Sequence, residues 1–175
     1  MNRLVSLFVL SVMLLAAGNA SAEQKYVVVN IQKIMQQATA AAAARDQLKA
    51  KKNQFQEEAT KQESALQKED QELAKQRTVL SQEAFQEKVT AFRQKAAGVQ
   101  RDVQEKSAKL TKAFNSSILT IQKSVTDIIT AMSREKGFDV AMPASQVLYY
   151  DPSLDVTDEV LARLNKQLPT MKVQF

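Results

Sequence analysis

The stretch from Gln32 to Lys136 contains no proline and a single glycine, Gly98. It is built mainly from Ala, Gln, Lys, Glu and Leu, which all have high helix propensity. One unbroken helix of this length would extend for about 150 Å, because each residue adds about 1.5 Å, and that is too long for a single small domain. The sequence therefore predicts a long helical region that folds back on itself.

The segment QRTVLSQEAF offers the best place for this reversal. Lys75 and Arg77 are typical of the end of a helix, Ser81 is a favourable N-cap, and Glu83 suits the first turn of the next helix. We therefore expect the tip of a helical hairpin near residues 78–81. The two antiparallel helices would each be about 70 to 80 Å long.

Apolar residues in the second half of this region recur in alternating steps of four and three, as the seam of a coiled coil requires. Lys106 interrupts the pattern, and such an interruption locally unwinds a supercoil. The first half is poorer, with Gln62, Glu69 and Gln76 where a seam would hold apolar residues. We expect an arm with a thin, incomplete apolar seam. The regular positions are Phe85, Val89, Phe92, Ala96, Val99 and Val103, then Leu110, Phe114 and Ile118, then Ile121, Val125, Ile128 and Met132.

Short strands are predicted on both sides of the helical region. The segment KYVVVNI, residues 25–31, is an apolar strand between polar residues. Gly137 is suited to end the long helix as a left-handed C-cap. Beyond it, residues 138–142 and 147–150 are predicted to pair as a hairpin about the turn at 143–146. Because a lone hairpin of this size is marginal in water, we expect the N-terminal strand to join it.

A final short helix is predicted after the strands, with Thr157 as its N-cap and Pro169 as its stop. Its expected buried stripe is Val160, Leu161, Leu164 and Leu168. The predicted fold class is α+β, mostly α. A long antiparallel helical hairpin, the coiled-coil-like arm of residues 32–136, is rooted in a small β body formed by residues 23–31 and 137–175. Three short strands leave unpaired edges that can associate with other chains, so we expect oligomerisation to complete the sheet.

The N-terminus, MNRLVSLFVLSVMLLAAGNASAE, has a basic start, an apolar run and a small-residue cleavage site. These features are typical of a secretory signal peptide, residues 1–22, cleaved after Ala22. The apolar run is shorter than the roughly 20 residues of a transmembrane helix. We expect an exported protein that begins at Glu23. Because the chain contains no cysteine, its stability must come from packing or assembly.

The chain carries a formal net charge of +5, which is unevenly distributed. Between Arg45 and Lys112 there are 15 Lys and Arg against 11 Asp and Glu, whereas residues 113–175 carry 6 against 7. A solvated helix face is the ordinary explanation of such charge. The excess could also steer acidic binding partners or contact anionic lipid. The basic residues of this arm surface are Lys49, Lys51, Lys52, Lys75, Arg77, Lys88, Arg93 and Lys95.

The sequence argues against several function classes. Histidine and cysteine are absent, and there is no glycine-rich phosphate loop or serine nucleophile signature, so we expect no enzyme activity and no cofactor. The acidic residues lack the spacing of a metal site such as an EF-hand loop. Nucleic-acid binding is disfavoured by export and by basic residues interleaved with acidic ones.

Three segments together carry a family resemblance: YVVVNIQKIMQQ after the signal peptide, LSQEAFQEK in the middle, and GFDVAMPASQVLYYDPSLDVTDEVLARLN near the end. With them the chain resembles the Skp/OmpH-like periplasmic chaperone family over essentially its whole mature length. The resemblance implies a periplasmic homotrimer whose short strands build a small β-barrel body with three helical hairpins around a cavity. It also implies an ATP-independent holdase that binds unfolded outer-membrane β-barrel proteins before membrane insertion.

The apolar pattern of the arm and the predicted strands indicate which residues contact the client and which form the trimer body. An incomplete seam leaves apolar side chains partly available on the inward face of the arm, although interhelical packing is the alternative for each. The client-contact residues predicted in this way are Leu48, Phe55, Leu66, Leu73, Phe85, Phe92 and Val99. The residues predicted for the trimer body are Val27, Val29, Val140, Val147 and Tyr149. The competing function is a structural or adaptor coiled coil that tethers components of the cell envelope.

Overall fold

The computed structural model describes residues 24–175 of the chain. The signal peptide predicted at residues 1–22 lies outside the described residues. The described part is mostly helical with a small sheet, so the predicted fold class is confirmed for the single chain. Its elements in chain order are β1 (Tyr26–Val29), α1 (Ile31–Gln37), α2 (Thr39–Gln76), α3 (Gln82–Lys136), β2 (Val140–Pro143) and α4 (Thr157–Gln167), with 3-10 turns at Ala144–Gln146 and Pro152–Leu154.

The arm consists of α2 and α3, which run antiparallel. They contain 38 and 55 residues, and these lengths correspond to about 57 Å and 82 Å of helix. Two ion pairs cross between them. Lys106 Nζ lies 2.7 Å from a carboxylate oxygen of Glu58, and Lys95 pairs with Glu69 closer to the tip. Later residues of α3 therefore face earlier residues of α2, as in a hairpin.

The predicted caps of α3 are both present. The hydroxyl of Ser81 accepts a hydrogen bond from the backbone N–H of Ala84 at 3.2 Å. At the other end, Gly137 adopts φ 70° and ψ 36°, and its N–H donates to the carbonyl of Ser133 at 2.8 Å. Only glycine takes this left-handed conformation without steric cost. The chain reverses at residues 77–81, which include the expected tip.

The first helical segment is broken, which the sequence did not predict. Ala38 is extended, with φ −63° and ψ 133°, and separates α1 from α2. The guanidinium of Arg45 donates to two carbonyl oxygens in the last turn of α1, at 2.9 and 3.1 Å. The backbone N–H of Thr39 donates to the side-chain oxygen of Asn165 at 2.9 Å. These side chains satisfy the backbone groups that the break exposes, so no proline or glycine is needed.

The sheet consists of β1 and β2, which pair in parallel with Tyr26 opposite Val140. The N-terminal strand therefore joins a C-terminal strand as expected, but the predicted hairpin is wrong. Residues 147–150 form no strand, because the chain enters a 3-10 turn after β2 and the N–H of Val147 donates locally to Ala144 at 3.3 Å. Pro143, at the end of β2, has no N–H to offer a ladder. The other edge of β1 is bridged instead by Asp155.

The start of α4 also differs from the prediction. Thr157 is the first residue of the helix rather than its N-cap, and Val156 at the cap position makes no side-chain capping bond. The hydroxyl of Thr157 instead accepts a hydrogen bond from the N–H of Asn30 at 2.7 Å. Its own N–H donates to the carboxylate of Asp155 at 2.8 Å. The threonine is almost fully buried, and it fastens α4 to the end of β1.

Both chain ends and the end of α3 share one hydrophobic core, which we call the body. It comprises β1, α1, β2, α4 and the last turns of α3. The predicted stripe of α4 is present, with Val160 and Leu164 fully buried and Leu161 and Leu168 packed at its margin. The most deeply buried side chains of the body are Val28, Val29, Ile34, Ile121, Met132, Val160 and Leu164. The arm is therefore anchored by a compact unit made from distant parts of the chain.

Candidate functional site

The seam of the arm differs between its two ends. Within the body, α3 buries about one side chain per turn, including Ile121, Val125 and Ile128. The adjoining end of the arm, which we call the root, buries the small residues Ala44, Ala113 and Ser117. Beyond the root, no apolar side chain of α2 or α3 in the described chain is fully buried between residues 45 and 112. All seven predicted client-contact residues are half-buried, neither enclosed nor fully exposed. They are Leu48, Phe55, Leu66, Leu73, Phe85, Phe92 and Val99.

The root is packed by small residues where the sequence predicted larger ones. Ala113 and Ser117 are 2% and 5% exposed, whereas Phe114, a predicted seam residue, is 48% exposed. The hydroxyl of Ser117 donates to the carbonyl of Ala113 at 2.8 Å, so its burial leaves no unpaired polar atom. Ala44 is also buried here, and small side chains on both helices let the backbones approach closely. The phenylalanine is thereby rotated towards the surface.

Phe114 and Leu48 line an open apolar groove beside the root. The groove has a volume of about 330 Å³ and continues between α1 and the two arm helices. Arg45 also lines the groove. Leu48, a predicted client-contact residue, therefore has free space beside its side chain.

A polar cluster replaces the seam where Lys106 interrupts it. The ammonium group of Lys106 lies 2.7 Å from Glu58 and 2.6 Å from Asp102, and the amide of Gln62 donates to Asp102 at 3.2 Å. Hydrogen bonding to Lys106 lowers the pKa of both carboxyl groups, and these bonds raise the pKa of Lys106 in turn. The ammonium also lies 5.6 Å from the ring centre of Phe55. The cluster fixes the register of the two helices at a point where apolar packing is thin.

All of the predicted basic arm residues except Lys51 are exposed to solvent. Lys75 pairs with Glu72 at 2.7 Å, and Lys95 pairs with Glu69. Lys51 is half-buried, with its ammonium 5.0 Å from the ring centre of Phe55. The remaining five form no ion pair with any residue of the described chain. They are Lys49, Lys52, Arg77, Lys88 and Arg93.

The residues predicted for a trimer body fall into two groups. Val27 and Val29 are 8% and 2% exposed and pack in the core of their own chain. Val140 and Tyr149 are exposed, and Val147 is half-buried. Leu148, which the sequence analysis did not select, is completely exposed. No strand within residues 24–175 covers the outer edge of β2, so the body has an open sheet edge as well as these exposed apolar side chains.

Ion pairs fasten α4 to the end of α3 on the surface of the body. The guanidinium of Arg163 makes a bidentate contact with Glu135, at 3.0 and 2.6 Å, and a further contact with Glu159 at 2.9 Å. Hydrogen bonding to Arg163 lowers the pKa of Glu135, and hydrogen bonding to Lys136 lowers the pKa of Glu159. Such exposed pairs add little stability, but they orient α4 on α3.

Two further properties bear on function. Among residues 24–175, no helix is both long and apolar enough to span a membrane. The same residues contain no group of three or more His, Cys, Asp or Glu side chains arranged to hold a metal ion.

Comparison with known proteins agrees with this architecture. Residues 25–164 match the family model described as outer membrane protein (OmpH-like). A protein from Caulobacter crescentus CB15, described as a candidate outer membrane chaperone (OmpH-like), has the same fold, with a TM-score of 0.79 at 19% sequence identity. The match covers 86% of this chain and 89% of that chain. No curated protein matches the sequence. Because the family model spans most of the sequence, the chain belongs to the OmpH-like family.

Proposed function

We propose that this protein is a periplasmic, ATP-independent holdase chaperone that binds unfolded outer-membrane β-barrel proteins and prevents their aggregation before membrane insertion. The observation that carries the proposal is the long row of half-buried apolar side chains along the part of the arm beyond the root, residues 48–99, which we call the distal arm. Membership of the OmpH-like family and the fold shared with a candidate outer membrane chaperone agree with it.

The chemistry of the arm suits such a client. An unfolded membrane barrel exposes strands that are apolar on one face and have unpaired edges, so it aggregates in water. At about 25 cal/mol per Å² of apolar surface buried, the exposed part of a side chain such as Leu66 or Phe92 contributes on the order of 1 kcal/mol when a client covers it. Each contact is weak, and affinity comes from their number. The stems of neighbouring lysines can cover further apolar surface while their charges stay in water. A sum of small terms also allows release.

We further propose that three chains assemble through the body. The open edge of β2 and the exposed side chains of Val140, Leu148 and Tyr149 support this step, because an uncovered strand edge and exposed apolar residues both favour association with another chain. The three arms would then enclose a cavity lined by their half-buried seams. The basic residues of the arm surface would steer acidic clients into it and could contact anionic lipid at the membrane surface.

A structural adaptor that tethers envelope components is the second candidate. The ion pairs of Lys106 with Glu58 and of Lys95 with Glu69 favour it, because they fix the register of the arm as a spacer requires. A spacer does not need a partly open seam, however. An adaptor has a fixed partner and should not bind an unrelated unfolded barrel, whereas a holdase should bind it.

Native mass spectrometry of the mature chain, alone and with a urea-unfolded membrane barrel, tests the proposal. We expect three chains in the free protein at micromolar concentration and three chains plus one barrel after mixing without ATP. A water-soluble unfolded protein of similar size and net charge is the control and should bind more weakly. A monomer alone would reject the assembly. A trimer that ignores the barrel would reject the holdase and favour the adaptor.

A further inference from the structure

The C-terminal tail, residues 170–175, forms neither helix nor strand and packs along the root of the arm. Its apolar residues alternate with polar ones. Met171 is half-buried and Val173 is 6% exposed. Lys172, which lies between them, and Gln174, which follows, are exposed. This alternation is the burial pattern of a β-strand with one apolar face. The tail is nevertheless bound to helices, not to a sheet.

One side chain holds the backbone of the tail at two points. The amide nitrogen of Gln47 donates to the carbonyl of Met171 at 2.7 Å, and its oxygen accepts from the N–H of Val173 at 3.1 Å. A further bond from the same nitrogen to the carbonyl of Ala43, at 3.1 Å, fixes the amide on α2. The contacts involve only main-chain atoms of the tail. They therefore recognise an extended strand without regard to its sequence.

The alternate side chains of the tail all contact the arm near its root. Val173 packs in one apolar cluster with Ala44 and Ala113. Met171 and Leu48 lie at the margin of this cluster. The ring centre of Phe175 lies 5.7 Å from the ammonium of Lys51. The same ammonium lies over the ring of a predicted client-contact residue, Phe55.

We propose that the root carries a binding site for an extended segment with apolar residues at every second position, and that the protein's own C-terminal tail occupies this site until a strand of an unfolded barrel displaces it. The inference rests on the proposed function and names one contact site within it. Strands of membrane barrels have this alternation and end in aromatic girdles. Because the tail is tethered, it competes at an effective concentration in the millimolar range, and only a client that also binds the distal arm can displace it.

The first test uses the full chain with the tail released. Val173→Asp places a charge against Ala44 and Ala113 and should free the site, whereas Gln174→Asp adds the same charge at an exposed position and should leave the tail bound. A fluorescently labelled TMKVQF peptide should bind the Val173→Asp variant about tenfold more tightly than the peptide TMVKQF, which has the same composition but a broken alternation. The Gln174→Asp chain should bind neither. Equal binding of both peptides to the released chain would overturn the proposal.

A second measurement uses the intact chain, so that it does not depend on how the aspartate variant folds. The protein contains no tryptophan, so Phe175→Trp gives a single emission reporter at the end of the tail. Adding a tryptophan-free unfolded barrel should shift the emission to longer wavelength as the tail leaves Lys51. If the barrel is held in solution but the emission does not change, the tail is only a structural clasp and the inference fails while the holdase stands. If the barrel is not held at all, the proposed function fails.

Discussion

Replacing Leu164 with alanine should lower the free energy of unfolding by about 3 kcal/mol, the typical cost of such a cavity in a core. Leu164 is completely buried and packs in the core that β1, α1, α3 and α4 share. Urea unfolding followed by circular dichroism, at one fixed chain concentration, measures the change. The concentration must be fixed because assembly would add to the apparent stability.

Leu161 provides a matched control on the same helix. It is half-buried at the margin of the same core, so Leu161→Ala should cost clearly less than Leu164→Ala. Equal losses for the two variants would contradict the description of α4 as a helix that roots the arm through one buried stripe.

Substituting Phe55, Phe85 and Phe92 with serine should weaken retention of an unfolded barrel by about ten- to a hundredfold at every salt concentration. Each side chain is half-buried along the arm, and each should lose roughly 0.5 to 1 kcal/mol of apolar contact with the client. The dissociation rate of a labelled barrel measures retention. Helix content must be checked by circular dichroism, because these rings also pack between the two helices.

A charge variant separates capture from retention. Replacing Lys49, Lys51, Lys52, Arg93 and Lys95 with glutamine should leave the chain folded, since exposed ion pairs and cation contacts contribute little to stability. The variant should capture an acidic unfolded barrel more slowly at low salt, and the difference should vanish near physiological salt, where screening acts within about 8 Å. If capture at low salt were as fast as in the parent protein, the basic residues would be only a solvated surface. If the serine variant retained clients normally, the seam would not be the binding surface.

The features that the sequence predicted correctly are those with local causes. The 4-3 spacing of apolar residues, the N-cap Ser81 and the left-handed Gly137 each act within one or two turns. The stripe of α4 is also local, because its spacing alone places Val160 and Leu164 on one face. Such signals define helices and their ends, and they sufficed to predict the hairpin.

The features that were missed depend on partners far away in the sequence. The break at Ala38 is stabilised by Arg45 and by Asn165, and neither residue marks a helix end by itself. The predicted strand at 147–150 has a suitable composition, but it finds no partner within the described chain. Strand formation depends on such a neighbour as well as on local propensity.

The candidate surface was likewise only partly predictable. Lys106 was recognised as an interruption of the seam, but its pairing with Glu58 follows from the register of the hairpin. The burial of Ala113 in place of Phe114 depends on small residues meeting across the two helices. The contact of Val173 with the root could not be predicted, because the last residues carry no helix or turn signal from which their path could be inferred.

Site-specific photo-crosslinking tests most directly whether the half-buried seam holds the client. A photoreactive phenylalanine analogue is placed at Leu66, on the seam of α2, or at Lys68, two residues further on and exposed. The chain is then mixed with a urea-unfolded barrel without ATP and irradiated. The account predicts a strong adduct with the barrel from position 66 and little from position 68. Equal adducts from both positions, or no adduct from position 66 although the barrel is held in solution, would contradict it.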